Sequence, residues 1–206
     1  GCSGDKGRHP YLELLSWLDE QDFRKLSKQS IQAEELFRRI GITFNVYGDS
    51  DGEERIIPFD LIPRIISARE WARLERGIIQ RVAAINAFLA DIYHRQEIIR
   101  SGIIPSELIN DNDAFLPQMC GFTPPGNIYT HIVGVDIVRT GPDEFFVLED
   151  NARVPSGVSY MIENRATMLQ MFPELFANHR IRTISDYPKQ LFQSLSESAR
   201  SFIDDP

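Results

Sequence analysis

The sequence predicts an α+β fold in which a mostly antiparallel sheet is flanked by helices. Two observations support this prediction. Residues 131–139 and 145–151 are both rich in Val, Ile and Phe, and the turn signal Thr-Gly-Pro-Asp separates them, which is typical of an antiparallel hairpin. Elsewhere, apolar residues recur three or four positions apart over stretches long enough for helices. No internal repeat is visible.

The first 60 residues are predicted to form helices followed by a short hairpin. Residues 11–40 have apolar side chains at helical spacing and stop at Gly41, a common residue at helix ends, so we expect two helices there. Two strand-like runs, ITFNVYG and ERIIPFDLI, flank residues 49–52, whose Asp-Ser-Asp-Gly sequence predicts a turn. A calcium loop of the EF-hand type is not expected at this turn because its other ligands are absent.

A long helix is predicted before the central hairpin. Ser67 and Glu70 have the spacing of a capping box, and an apolar stripe follows from Trp71 to Ile92. We expect this helix to close near Gly102. Its stripe is typical of a helix that packs in a core rather than of a cofactor site.

Two helices are predicted after the hairpin. Residues 164–171 have helical spacing, and Pro173 is expected to end this helix. Asp186 is placed to cap a final amphipathic helix. The apolar residues of this last helix are Leu191, Phe192, Leu195 and Phe202.

The composition is that of an ordinary globular protein. With 206 residues and 42% hydrophobic content the chain is long enough to bury a core, and its net charge of −8 argues against an extended surface for nucleic acid or anionic membranes. The apolar runs are short and interrupted by charge, and no signal peptide is visible, so we expect a cytoplasmic protein without a membrane span. Cys2 and Cys120 lack the spacing of a zinc site or a disulfide framework.

The central hairpin contains the most informative polar residues. If residues 141–144 form its loop, one register places Asp136 opposite Glu149 and Val138 opposite Val147, with Asn151 on the same face. Opposed carboxylates repel unless a proton, an arginine or a cation neutralises them. All-oxygen ligands suit Mg²⁺, which also binds substrate phosphates, so the hairpin predicts phosphoryl chemistry on a nucleotide.

A simpler interpretation of the same residues stays open. Carboxylates near strand ends often only face solvent or cap the next turn. In the same register Asp150 lies on the face opposite Glu149 and is expected to be solvated. Arg139 lies on the face opposite Asp136, which argues against a salt bridge or phosphate contact for its guanidinium.

These residues also resemble a known family. Asp136, then Glu149-x-Asn151, Arg153 and a Pro-Ser-Gly turn at residues 155–157 resemble the metal-binding end of ATP-grasp ligases. The wider chain, from about residue 8 onward, is similar to circularly permuted ATP-grasp type 2 proteins of the glutathionylspermidine synthase-like kind. The most specific stretches are HIVGVDIVR and VLEDNARVPSGVSYMIENR. The resemblance implies an ATP-grasp-like fold of permuted order, incomplete in this chain.

The resemblance implies a carboxylate–amine ligase that uses Mg²⁺ and ATP and forms an amide or peptide-like bond through an acyl phosphate. Asp136, Glu149 and Asn151 would hold Mg²⁺, and Arg153 would stabilise the acyl phosphate. Ser156 and Gly157 would offer a hydroxyl and backbone N–H groups to a phosphate or carboxylate. Alternatively, Arg153 pairs with Asp150 or Glu149, and residues 155–157 form a plain turn at the end of a strand. Arg64 and Arg165 match the family without an assigned task.

The resemblance also implies a domain organisation. Residues 1–40 form a helical segment, residues 41–176 an ATP-grasp-like metal-binding core, and residues 177–206 a helix that leads to the absent remainder. That remainder would supply much of the lid over the nucleotide, so this part alone is expected to bind or catalyse poorly. The expected partners are a small-molecule or peptide carboxylate and an amine, with neither nucleic acid nor membrane.

Two other functions remain as alternatives. A metal-dependent nuclease uses an acid followed by E-x-K on adjacent strands, but Asn151 occupies the lysine position here. A non-catalytic binding module would need none of these residues for chemistry. Other enzyme classes have little support, because no P-loop is present, the four histidines are not closely paired, and Ser156 is not in a G-x-S-x-G turn.

Overall fold

The computed structural model describes residues 11–41, 43–45, 54–56, 59–141 and 143–199. They form an α+β structure with two small antiparallel sheets of two strands each. In chain order the elements are α1 (Leu12–Asp19), α2 (Phe23–Ile40), β1 (Thr43–Asn45), β2 (Glu54–Ile56), α3 (Ala68–Ile92), α4 (Glu97–Arg100), α5 (Glu107–Asn110), β3 (Gly134–Gly141), β4 (Glu144–Asn151), α6 (Val158–Met171), α7 (Pro173–Asn178) and α8 (Tyr187–Ala199).

The chain divides into two compact units, and each unit combines two stretches of sequence. Unit one contains residues 1–67 and 157–185, and unit two contains residues 68–156 and 186–206. The three-part division expected from the sequence, with boundaries after residues 40 and 176, stays a prediction. No helix in the described ranges is both long and apolar enough to cross a membrane.

Unit one begins with the two predicted helices. The carboxylate of Asp22 accepts a hydrogen bond from the backbone N–H of Arg24 at 2.9 Å and caps α2. Gly41 ends α2 with a φ of +76°, a left-handed conformation that glycine adopts without steric cost. Strands β1 and β2 pair antiparallel, with Thr43 opposite Ile56. The predicted turn at residues 49–52 lies outside the described residues.

The core of unit one joins α1 to α6 and α7. Its buried residues are Leu14, Met168, Phe172 and Leu175. Helix α6 begins at Val158, six residues earlier than predicted, because Gly157 starts it in a left-handed conformation. Pro173 does not simply end a helix. It starts α7, since the first turn of a helix needs no N–H from that position.

Unit two is built on α3, which ends at Ile92 rather than near Gly102 as predicted. The reason is Asp91, whose carboxylate accepts hydrogen bonds from the backbone N–H groups of Glu97 and Ile98, each at 2.9 Å. Gln96 turns the chain with a φ of +53°, and the separate short helix α4 follows. The two hydrogen bonds lower the pKa of Asp91 from its ordinary value.

The segment after α4 packs back on the end of α3. Ile92, Tyr93 and Ile109 are buried together, and the rings of Tyr93 and Phe115 stack at 5.1 Å between centroids. Short 3-10 turns at Pro117–Met119 and Pro125–Asn127 lead to β3. Helix α8 follows Asp186 as predicted, and Phe202 lies outside the described residues.

Candidate functional site

Strands β3 and β4 form the predicted antiparallel hairpin, and its register brings the candidate ligands together. Asp136 is directly opposite Glu149, as predicted, and Gly134 is opposite Asn151. Side chains alternate along a strand, so residues two apart share a face. Asp136, Glu149 and Asn151 therefore lie on one face of the hairpin.

The register is interrupted beside the candidate site. Asp136 pairs with Glu149, but the next pair is Ile137 with Val147, so Leu148 is an extra residue in β4. The prediction that Val138 lies opposite Val147 is wrong, because Val138 pairs with Phe146. Such a β-bulge changes which residues of a strand share a face. Here it leaves Glu149 on the face of Asp136 and turns Val147 to the other face with Ile137.

The candidate face is negative and exposed. Asp136, Glu149 and Asn151 are all exposed, and the Asn151 Nδ2 donates a hydrogen bond to the Glu149 Oε1 at 3.1 Å. This leaves the Asn151 Oδ1 as a further acceptor beside the two carboxylates. Among the described residues no cationic side chain pairs with Asp136 or Glu149.

The donor set matches a magnesium ion in type but is small. Two carboxylates and one amide oxygen are hard ligands, and Mg²⁺ usually completes its sphere with water and phosphate. Within the described ranges no group of three His, Cys, Asp or Glu side chains could hold a metal ion. A metal at this hairpin therefore depends on Asn151 as the third protein ligand.

Asp150 is not the solvated residue that the sequence suggested. The Arg81 Nε donates to both carboxylate oxygens of Asp150 at 2.8 Å, and the Arg81 Nη2 lies 2.6 Å from Oδ2. The Asp150 side chain is only 18% exposed. The hydrogen bond from Arg81 lowers the pKa of Asp150 and raises that of Arg81. The sequence analysis expected this face of the hairpin to be in solvent and therefore missed the pair. In the structure α3 covers the face on which Asp150 lies.

Arg139 also pairs with α3, contrary to the expectation that it makes no salt bridge. Its Nη2 lies 2.5 Å from the Oε1 of Glu70, which is buried. The guanidinium also lies over the ring of Phe145, 5.6 Å from its centroid. The face of Arg139 was predicted correctly, and α3 supplies a partner on that face.

Arg153 follows the hairpin and is exposed. The alternative in which it pairs with Asp150 or Glu149 is not what the structure contains, because Asp150 pairs with Arg81 and no ion pair of Arg153 exists among the described residues. Its proposed contact with an acyl phosphate stays a prediction. Arg165 donates to the backbone oxygen of Arg182 at 2.9 Å.

The Pro-Ser-Gly turn forms two separate structural features. Pro155 packs against Gly134, where a Cβ on the glycine would lie 3.1 Å from the Pro155 Cβ. Gly157 is the N-cap of α6 with a φ of +98°, and no side chain of the described chain caps this helix or places an acid in its first turn. Uncapped N–H groups at a helix start favour anions. The roles expected of Ser156 and Gly157 stay predictions.

Two residues near the hairpin have structural roles that the sequence analysis missed. Arg81 is 69 positions from Asp150, and no local pattern connects them. Asn86 accepts hydrogen bonds on Oδ1 from the backbone N–H groups of Tyr129 and Thr130, at 2.7 and 3.1 Å. It thereby holds the segment that leads into β3 on the side of α3. The signal in the sequence was Asn86 itself, an amide side chain among the apolar positions of the amphipathic helix α3.

Comparison with known proteins supplies the evolutionary context. A family described as "A circularly permuted ATPgrasp" matches residues 63–206. An uncharacterized protein of Mycobacterium tuberculosis is 45% identical over 199 residues, which is 97% of this chain and 35% of the relative. An uncharacterized protein of Synechocystis sp. is 43% identical over 182 residues, 88% of this chain and 38% of the relative.

A third relative has a functional name. A protein of Frankia alni named "Putative glutamate--cysteine ligase 2-3" is 40% identical over 161 residues, which is 77% of this chain and 18% of the relative. The chain thus spans little more than a third of the length of the mycobacterial and cyanobacterial relatives. It spans 18% of the length of the Frankia relative.

Proposed function

Because this chain belongs to the circularly permuted ATP-grasp family, we propose that it forms the metal-binding part of an ATP-dependent carboxylate–amine ligase. The observation that supports this proposal best is the pairing of Asp136 with Glu149 on an exposed hairpin face, with no cationic partner in the described chain. Facing carboxylates are unfavourable by themselves, so a bound cation gives the arrangement a physical reason.

Asp136, Glu149 and Asn151 would hold Mg²⁺. The hydrogen bond from the Asn151 Nδ2 to the Glu149 Oε1 joins the two side chains and leaves the Asn151 Oδ1 and the Glu149 Oε2 as acceptors. When bound, the metal would offset negative charge on the phosphates of ATP. ATP and Mg²⁺ are expected from the family, and the hard oxygen ligands here are compatible with that expectation.

The proposed reaction has two steps. An oxygen of the substrate carboxylate attacks the γ-phosphorus of ATP, the bond from that phosphorus to ADP breaks, and an acyl phosphate forms. The amine nitrogen then attacks the acyl carbon, phosphate leaves, and the nitrogen loses a proton. In this scheme the exposed guanidinium of Arg153 contacts the oxygens of the acyl phosphate, for which its planar donor geometry is suited.

Ser156 and Gly157 are proposed to contact a phosphate or carboxylate. The support for Gly157 is that it starts a helix of 14 residues without a side-chain cap, so the first backbone N–H groups point outward. Ser156 precedes it and is exposed. We expect Ser156→Ala to weaken nucleotide binding modestly and Gly157→Val to weaken it strongly, because valine strains the left-handed backbone.

The substrates are proposed only by chemical class. The name of the Frankia relative describes the joining of a carboxylate to an amine, and that is the class proposed for the complete protein to which this stretch corresponds. A small molecule or a peptide would supply the carboxylate. The closer likeness to glutathionylspermidine synthases stays a prediction.

Calorimetric titration of Mg²⁺ with a nonhydrolysable ATP analogue tests the proposal. The unsubstituted chain is compared with Asp136→Ala/Glu149→Ala and with Asp111→Ala/Asp113→Ala, a control that removes the same charge from exposed positions of unit two. We expect weak but metal-dependent binding that only the first variant loses. Equal binding by all three proteins, or none by the folded unsubstituted chain, would contradict the proposal. Mg²⁺-dependent nicking of DNA that Asp136→Ala abolishes would favour the nuclease alternative.

A further inference from the structure

The ion pair between Arg81 and Asp150 lies directly behind the candidate ligands. Asp150 is the central residue of the Glu149-Asp150-Asn151 sequence, and its side chain points to the face opposite its two neighbours. Three contacts from Arg81, at 2.6 to 2.8 Å, hold this side chain. Whatever fixes the face of Asp150 therefore also fixes the face of Glu149 and Asn151.

A second ion pair joins the same helix to the other strand. Glu70 on α3 pairs with Arg139 on β3, and Arg81 on α3 pairs with Asp150 on β4. The eleven residue steps from Glu70 to Arg81 correspond to roughly 16 Å of helix. The four residue steps of β3 from the position opposite Asp150 to Arg139 correspond to roughly 13 Å of strand. Helix α3 contributes the acid to one pair and the base to the other, and the hairpin does the opposite. A reversed alignment of the helix would therefore bring Glu70 beside Asp150 and Arg81 beside Arg139, which are pairs of like charge.

Two irregularities set the register of this hairpin, since Thr140 is an extra residue in β3 next to the turn and Leu148 is an extra residue in β4. With the irregularity at Thr140 in place, the presence or absence of the bulge at Leu148 gives the part of β4 beyond it two possible registers. If the pairing of Ile137 with Val147 continued without the bulge, Asp136 would lie opposite Leu148, and Glu149 would take the place opposite Val135 that Asp150 now occupies. A slip of one residue exchanges the faces of all side chains beyond it. In that state Glu149 would face α3, and Asp136 would lose its carboxylate partner.

Burial of apolar side chains does not decide between these two states. Leu148 is 72% exposed in the bulged register, and it would lie on the same exposed face as Asp136 without the bulge. The two registers differ in which carboxylate forms the ion pair with Arg81. Asp150 meets it in the observed register, and Glu149 would meet it in the other.

We propose that Arg81, by binding Asp150, selects the bulged register and so positions Glu149 and Asn151 beside Asp136 as metal ligands. This inference rests on the proposed function for the metal, but the register itself can be observed without metal. Arg81 is a positioning residue and contacts neither metal nor substrate. Asp150 and Glu149 compete for its guanidinium, and the aspartate keeps the glutamate available.

The competition has a distinctive consequence for variants. Asp150→Ala removes the preferred partner of Arg81, so Glu149 is drawn to α3 and the metal site loses a ligand. Arg81→Met/Asp150→Ala removes the attraction as well, so Glu149 is released. The double variant should therefore bind metal better than the single variant. An ion pair that only stabilised the fold would give the double variant equal or weaker binding.

The experiment combines Mn²⁺ binding with backbone NMR on the full chain. Mn²⁺ binding, followed by electron paramagnetic resonance, is expected to weaken roughly tenfold or more in Asp150→Ala and to recover most of that loss in the double variant. Without metal, the cross-strand backbone contact of Asp136 should change from Glu149 to Leu148 in Asp150→Ala and return in the double variant. Arg76→Met on the same helix is the control and should change neither quantity.

Each result decides a separate question. An Asp136–Glu149 contact that persists in Asp150→Ala would overturn the register proposal, whatever happens to metal binding. If Asp150→Ala does not fold, Asp150→Asn replaces it, because the amide keeps the volume and removes the charge. If the unsubstituted chain takes up no Mn²⁺, the proposed metal site fails, and the cross-strand contacts alone still decide whether Arg81 sets the register.

Discussion

Gly134 and Pro155 approach each other so closely that a Cβ added to the glycine would lie 3.1 Å from the Cβ of the proline. The same added atom would lie 3.5 Å from the Cβ of Asn151, the residue opposite Gly134 in the hairpin. Proline is a rigid ring that cannot rotate away, so its backbone must move. The absence of a side chain at Gly134 thus allows close packing between the start of β3 and the loop after β4.

Gly134→Ala is therefore expected to destabilise the protein by about 1 kcal/mol, which is typical of overpacking by one methyl group. It should also weaken Mn²⁺ binding, because Asn151 moves with the loop. Urea unfolding measures the first effect and Mn²⁺ titration the second. Unchanged values for both would show that the loop moves without cost and that Pro155 does not position Asn151.

Gly77→Ala should have the opposite effect on stability. Gly77 lies inside α3, where an added Cβ meets nothing within 4 Å. Alanine is favoured over glycine inside a helix by about 0.5 to 1 kcal/mol, and no close contact opposes the change here. We expect a higher free energy of unfolding in urea, with Mn²⁺ binding unchanged. A loss of stability would contradict the expectation that the helix propensity of alanine decides the outcome at this open position.

Arg81→Met should change how stability depends on pH. Arg81 lowers the pKa of Asp150 in the folded protein below the unfolded value of about 3.9. The pair therefore stabilises the fold fully above that value, and its contribution is lost as the pH falls through the lowered folded pKa. The difference in unfolding free energy between the unsubstituted chain and Arg81→Met should be constant from pH 7 to about 5 and shrink below about 4.

Urea unfolding at several pH values measures this difference, and carbon NMR of the Asp150 carboxyl group follows its titration directly. In Arg81→Met the carboxyl pKa should rise towards the ordinary value. Arg76→Met, the same substitution at an exposed position of α3, controls for the lost charge. A stability difference that does not vary with pH would show that Arg81 acts through packing of its aliphatic stem rather than through Asp150.

The opposition of Asp136 and Glu149 could be predicted because turn residues and strand alternation together define a register. The presence of the long helices was predictable for the same kind of reason, since spacing and end residues are local signals, whereas the end of α3 and the start of α6 were misplaced. Gly41 ended α2 where its type indicated. The resemblance to the family rested on the same hairpin, and the match over residues 63–206 confirmed it.

The bulge could not be predicted from the sequence. Residues 145–148 are all apolar, so their pattern favours neither face of the strand and contains no signal for one extra residue. The partner of Asp150 was equally hidden, because Arg81 precedes it by 69 residues and one exposed arginine in a charged helix resembles any other. Long-range pairs of this kind depend on tertiary packing, which local patterns do not report.

Asn86 gives a last prediction, on the segment that leads into β3. Its Oδ1 accepts from the backbone N–H groups of Tyr129 and Thr130, and its Nδ2 donates to the hydroxyl of Thr130 and to the carbonyl of Val82. Asn86→Ala leaves two partly buried N–H groups without this acceptor. We expect a loss of about 2 kcal/mol in the free energy of unfolding, because unsatisfied donors keep their desolvation cost.

Asn86→Asp tests the acceptor oxygen of this side chain separately from its donor nitrogen. It keeps an oxygen for Tyr129 and Thr130 but removes the donation to Val82, so its loss should be smaller than that of Asn86→Ala. Asn110→Ala, at the exposed end of α5, should change stability by less than about 0.5 kcal/mol. Amide hydrogen exchange at Tyr129 and Thr130 provides the local readout, and it should accelerate in Asn86→Ala only. Equal exchange in all three variants would mean that the hydrogen bonds of Asn86 do not hold the start of β3, and that Gly134 and Asp136 are positioned by the hairpin and α3 alone.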